Sequence, residues 1–222
     1  MIDLNAYMSD LMDSLAQSFD SRLLYVGLQG SYLRGEADEE SDLDIMVVLD
    51  RLTIADMDSY REIIGKIGNR HKACGFICGK SELQNWNPCE ICQLIHTTKD
   101  YYGTLAGLVP SYTEEDEKTY IKISLNTLYH ELCHRYIYAS RKKNIEQLPA
   151  TYKSVFFILQ NIHYQRTGNF ILTKRELLSH LPEEDKIVLQ KAVQIKTQEI
   201  YDFEEAFQTI FLWCQKAIAR FA

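Results

Sequence analysis

No stretch of this chain approaches the roughly 18 consecutive apolar residues that cross a bilayer as a helix, so no helical membrane span is expected. The opening MIDLNAYMSD lacks both the basic start and the apolar block of a secretory signal, and the expected location is cytoplasmic. Basic residues are in deficit: 24 Lys and Arg stand against 31 Asp and Glu, a net charge of -7. Binding along a phosphate backbone needs a concentrated basic surface, so an extended nucleic-acid partner is not expected, and a compact or cationic ligand fits better. Internal repeats, low-complexity tracts and disordered tails are missing as well. What remains is an ordinary globular composition, 46% hydrophobic and 25% charged, over 222 residues that can hold one large or two modest domains.

Cysteine is not scarce, but its spacing excludes an obvious role. Cys74, Cys78, Cys89, Cys92, Cys133 and Cys214 are expected to be reduced in a cytoplasmic chain. The first four suggest a four-thiolate zinc site. Residues 73–78 read as a strand, however, and four residues along a strand span roughly 13 Å, too far for two ligands of one ion. Buried thiols are the expectation.

The chemistry-bearing stretch is residues 27–50, GLQGSYLRGEADEESDLDIMVVLD. An apolar run, Leu23 to Leu28, leads to Gly30, where a backbone without a side chain lets a phosphate come close. Ser31 adds a hydroxyl and the first N–H groups of a short helix. Asp42 and Asp44 are two apart, so on a strand they share a face. Adjacent carboxylates repel, and the pair becomes favourable once a hard divalent cation bridges it to a substrate's phosphates. Alternatively, the two acids merely line the edge of a solvated hairpin.

The pattern Gly30-Ser31, ten intervening residues, then Asp42-Leu43-Asp44 resembles the signature of the nucleotidyltransferase superfamily that includes DNA polymerase beta and the aminoglycoside nucleotidyltransferases. The resemblance is specific over residues 22–50 and loose elsewhere. It implies an α+β fold with a mixed, twisted sheet and flanking helices, followed by an all-α helical bundle. It also implies that Gly30 and Ser31 hold the triphosphate of ATP or another NTP, that Asp42 and Asp44 bind magnesium, and that a nucleoside monophosphate passes to a small-molecule hydroxyl, as on an aminoglycoside-like antibiotic. In that family a third carboxylate completes the metal site from a neighbouring strand. HKACGFICG holds no acid; Glu82 and Glu90 are the nearest candidates, and Glu90 is preferred because it opens an apolar segment that could be the next strand, unless it is a surface residue. Arg34 either reaches phosphate or pairs with Glu36 or Asp38, and Ser41 either touches phosphate or caps its loop. Lys153, in an apolar helix, either reaches the triphosphate or escapes to solvent. Kanamycin-type enzymes place an acidic base on the helical domain. Glu131 or His134 would fill that role here, unless Glu131 is tied to Arg135.

Two other functions stay open. His130 to His134, HELCH, matches the zinc-hydrolase pattern H-E-x-x-H. The superfamily also contains antitoxin-like proteins that modify or bind a partner protein, so a protein partner or homodimer is a further reading. Periodicity places helices over 2–20 and 53–70 and strands over 22–28, 42–49 and 71–78, and leaves 89–96 as strand or helix. A boundary near Pro110 separates a catalytic domain, 1–110, from a helical domain, 111–222. In the latter, helices are expected over 114–143, 152–164, from the capping pattern TKRE onward, over 182–195, and from 196 to the end. Five tyrosines, Tyr101, Tyr102, Tyr129, Tyr136 and Tyr138, are candidates to wall a ring-bearing acceptor.

Overall fold

Leu43, Ile45, Val47 and Leu49 alternate with Asp44, Met46 and Val48, and this period of two gives one strand two different faces. In a computed structural model, which describes residues 2–197 and 200–221, that strand sits inside a four-stranded mixed sheet. The strands are β1 (Leu23–Leu28), β2 (Leu43–Leu49), β3 (Ala73–Gly79) and β4 (Lys99–Tyr102), in the order β3-β2-β1-β4. β2 runs parallel to β3 and antiparallel to β1, and β1 is antiparallel to β4. The odd-numbered residues of β2 pack with Val26 and Leu28 against Leu11 and Leu15 of helix α1 (Leu4–Phe19) and Ile63 and Ile64 of helix α3 (Ile54–Ile67). Met46 and Val48, on the other face, pack with Tyr25, Cys78, Leu83 and Leu105. Asp44 belongs to this second face.

Helix α3 starts where it does because Thr53 and Asp56 form a reciprocal capping box. Arg22, at the entry to β1, grips the Asp56 carboxylate with both terminal nitrogens, at 2.8 and 2.9 Å, and so ties the helix start to the sheet. The short helix α4 (Lys80–Gln84) follows β3, and the structure then decides the segment left as strand or helix. Residues 88–96 form a helix, α5 (Pro88–His96), since Asn87 accepts from the Cys89 N–H and Pro88 fits the first helical turn. The fourth strand, β4, is one for which the sequence reading placed no element. Its residues are mostly exposed, so no alternation marks it, and pairing with β1 creates it.

The chain divides into two compact units, Met1–Tyr112 and Thr113–Ala222. The second is helical among its described residues: α6 (Glu114–Tyr138), α7 (Arg141–Thr167), α8 (Lys174–His180), α9 (Glu183–Thr197) and α10 (Phe203–Arg220). The single helix expected over 114–143 is in fact two, because Ser140 caps a new helix through the Lys143 N–H. α7 then runs unbroken through Pro149, a residue that deprives the Ile145 carbonyl of its helical donor. The Tyr201 hydroxyl donates to that carbonyl instead. Residues 152–164 supply much of the core, with Tyr152, Val155, Phe156, Leu159 and Ile162 all buried. Of the last expected helix, residues 198, 199 and 222 lie outside the described residues. Among the described residues no helix is long and apolar enough to cross a membrane.

Candidate active site

At the junction of β1 and the short helix α2 (Gly30–Arg34), the Gln29 N–H donates to the Asp44 carbonyl at 2.9 Å, and the Gln29 side chain donates to Thr98 Oγ1 at 2.8 Å. These bonds hold the turn against β2. Gly30 then adopts φ +70°, and a Cβ there would lie 1.9 Å from Asp44 Oδ2. The Asp44 carboxylate therefore rests directly against the bare Cα of Gly30. Asp42 is exposed and Asp44 half-buried, so both are open to ligand.

On the neighbouring strand, Cys74 is the register partner of Asp44. Ala73 and Ile77 pack towards α1 and α3, which leaves Cys74 on the Asp44 face with Phe76 and Cys78. Burial pushes the Cys74 thiol above its ordinary value, and the nearby Asp44 and Asp42 carboxylates add to the rise. The sequence reading has Cys74 as a buried thiol and not as a neighbour of the carboxylates. Its signal was the period-two pattern of residues 73–77, but which strand it would pair with was not readable.

The other expected site residues are placed as follows. Glu90 is not on a strand: it lies exposed on α5, where it accepts from Trp86 Nε1 at 2.6 Å. Among the described residues no three His, Cys, Asp or Glu side chains come together to hold a metal, so Asp42, Asp44 and Glu90 do not form a cluster. Arg34 is 8% exposed and donates from Nε to Glu36 at 3.1 Å, the pairing rather than the open arrangement. Ser41 donates to Asp38 Oδ1 at 2.7 Å and accepts from the Asp38 N–H, closing the acidic loop. Ser31 is half-buried in the first turn of α2.

In the second unit, Glu131 accepts from Arg135 and from Thr151 Oγ1, each at 2.8 Å, which fastens α6 to α7. His130 and His134 are both exposed, with ring centroids 5.9 Å apart, and the same absence of a three-ligand cluster leaves HELCH without a third zinc ligand. Lys153 is on the exposed side of α7, so it is a solvent-facing lysine rather than a buried one. None of the six cysteines forms a disulfide, and the expected burial fails for Cys74, which is exposed, and for Cys89 and Cys133, which are half-buried. Tyr129 and Tyr136 lie against Phe211 and Phe207 beside a cavity of about 460 Å³.

Residues 12–85, which contain Gly30, Ser31, Asp42, Asp44 and Cys74, match the family model described as a nucleotidyltransferase domain. The first unit thus contains a segment similar to nucleotidyltransferase domains. The crystal structure of spectinomycin adenyltransferase AAD(9) from Enterococcus faecialis, with ATP and spectinomycin, matches this fold with a TM-score of 0.62. The match covers 98% of each chain at 16% sequence identity, so the likeness is one of fold. No match is found among curated proteins. The match over residues 12–85 supports nucleotidyl transfer as the chemistry, and the likeness to the adenyltransferase is one of fold.

The residues present fit a divalent ion. Asp44 sets a hard carboxylate donor against a side-chain-free turn, where a methyl group at Gly30 would occupy the space beside its oxygen, and Asp42, exposed two residues earlier, offers a second.

Proposed function

We propose that the chain moves AMP from ATP, with magnesium, to a hydroxyl of a small polar ring compound of the aminoglycoside or aminocyclitol type. The observation that carries this reading is the Asp44 carboxylate seated against Gly30, in a segment matched by a nucleotidyltransferase domain. Asp42 and Asp44 would hold magnesium, which when bound offsets the charge of the phosphate oxygens. Gly30 leaves room for phosphate oxygens to approach the backbone, and Ser31 offers its hydroxyl and N–H to them. The acceptor oxygen bonds to the α-phosphorus as the α–β bridging P–O bond breaks, and pyrophosphate leaves with the electron pair. A base takes the hydroxyl proton. Glu131 is engaged by Arg135 and Thr151, so we assign the base to His134, whose ring is exposed. Arg34 and Ser41 shape the loop between turn and carboxylates. The choice of acceptor is supported by the spectinomycin and ATP carried by the fold neighbour.

Incubation with α-labelled ATP, magnesium and a panel of aminocyclitols tests this reading. Labelled acceptor and pyrophosphate should appear, and both should vanish in Asp42→Asn and Asp44→Asn. Label on a protein instead of a small molecule would move the acceptor to a partner protein. Variants indistinguishable from the parent would overturn the assignment of the carboxylates.

A further inference from the structure

The site described above has two carboxylates and a thiol. Between Arg70 and Gly79 the chain carries no acid, and the residue level with Asp44 across the parallel β2–β3 pairing is Cys74. Register partners on neighbouring strands share a face, about 5 Å apart, so whatever side chain stands at position 74 borders the Asp44 carboxylate. Cys74 is exposed. Yet no three ligating side chains converge among the described residues. A hard, strongly hydrated cation held by one or two protein carboxylates draws the rest of its shell from water and substrate phosphates.

We propose that position 74 is the open third corner of the divalent-ion site, filled by a side chain too short and too soft to serve magnesium, so that this chain takes up its ion only together with the nucleotide. The inference rests on the nucleotidyl-transfer reading and adds to it an order of assembly. The free protein offers two carboxylates, an incomplete set. Nucleotide phosphates lodged at the Gly30 turn supply the missing oxygens, and ion and nucleotide bind as one unit. A carboxylate placed at position 74 would remove that dependence.

Manganese, a paramagnetic stand-in for magnesium, is the probe. Its binding to the full chain is measured by electron paramagnetic resonance and calorimetry, with and without a non-hydrolysable ATP analogue. The parent and Cys74→Ser should bind manganese weakly alone and at least about tenfold more tightly with the analogue, a difference of about 1.4 kcal/mol. Cys74→Asp or Cys74→Glu should gain at least about tenfold in nucleotide-free affinity, and adding Asp44→Asn should cancel the gain. Equal manganese affinity of the parent with and without analogue would overturn the proposal, as would acid variants that gain nothing or a gain that survives Asp44→Asn. Position 74 is exposed, so the acid variants should melt like the parent, and the parent's nucleotide dependence is a test that needs no variant. If the parent binds manganese with the analogue and Asp44→Asn abolishes it, while Cys74→Asp and Cys74→Glu add nothing, this inference alone fails. If the parent binds neither analogue nor manganese, the nucleotidyl-transfer reading fails with it.

Discussion

A methyl group at position 30 would have to displace the Asp44 carboxylate, because its carbon would fall 1.9 Å from Oδ2, and the φ of +70° would be strained as well. Gly30→Ala is therefore expected to weaken binding of an ATP analogue at least about tenfold and to lower stability by about 1 kcal/mol or more, measured by calorimetry and thermal unfolding. Asp44→Asn keeps the shape and removes the charge. Pyrophosphate release should fall by about two orders of magnitude or more, with the melting temperature nearly unchanged, since Asp44 is half-buried at the end of its strand. Both residues were legible in the sequence, because a glycine after an apolar run and two acids at a spacing of two are local patterns. Glu90 was misplaced because its strand was assumed. The charge of a side chain is written in the sequence, but the partner across the sheet is not, and Cys74 entered the site only through β3 pairing.

Elements hold together here through single polar links at their ends. Arg22 first, and then Thr53, keep the Asp56 carboxyl well below the usual carboxylate range. The unfolded value is near 4, so the stability this link contributes is fully present above about pH 5 and is lost as pH falls through 4 towards the depressed folded value. Urea unfolding at a series of pH values should show that loss in the parent and a shallower slope in Asp56→Asn. In the second unit, Tyr201→Phe would leave the Ile145 carbonyl, already without a donor at Pro149, unpartnered. The cost should be about 1 kcal/mol, read from chemical denaturation. Thr53-x-x-Asp56 and Thr113-x-x-Asp116 mark their helix starts in the sequence. The passage of α7 through Pro149 could not be foreseen, because the tyrosine that bonds the Ile145 carbonyl lies 56 residues beyond that carbonyl.

At the scale of the whole molecule, each unit has its own core. Asp185, buried completely, accepts from Trp213 at 2.8 Å and from both terminal nitrogens of Arg220, joining α9 to α10. Asp185→Ala should cost about 3 kcal/mol, as expected when one partner of a buried ion pair is removed. Hydrogen exchange should report the loss in residues 113–221, with protection of the sheet kept.

The chain's local patterns were enough to determine the order of strand, turn, carboxylates and helices, and the change near residue 110 from mixed to helical character. Periodicity and capping act over a few neighbouring residues, so they are present before folding. Tertiary structure alone decided that Asp44 would lie on Gly30, that a thiol would stand beside it, that Glu131 would also accept from Thr151, and that residues 99–102 would become a strand. Each of these depends on hydrogen bonds or close contacts between segments brought together only by folding.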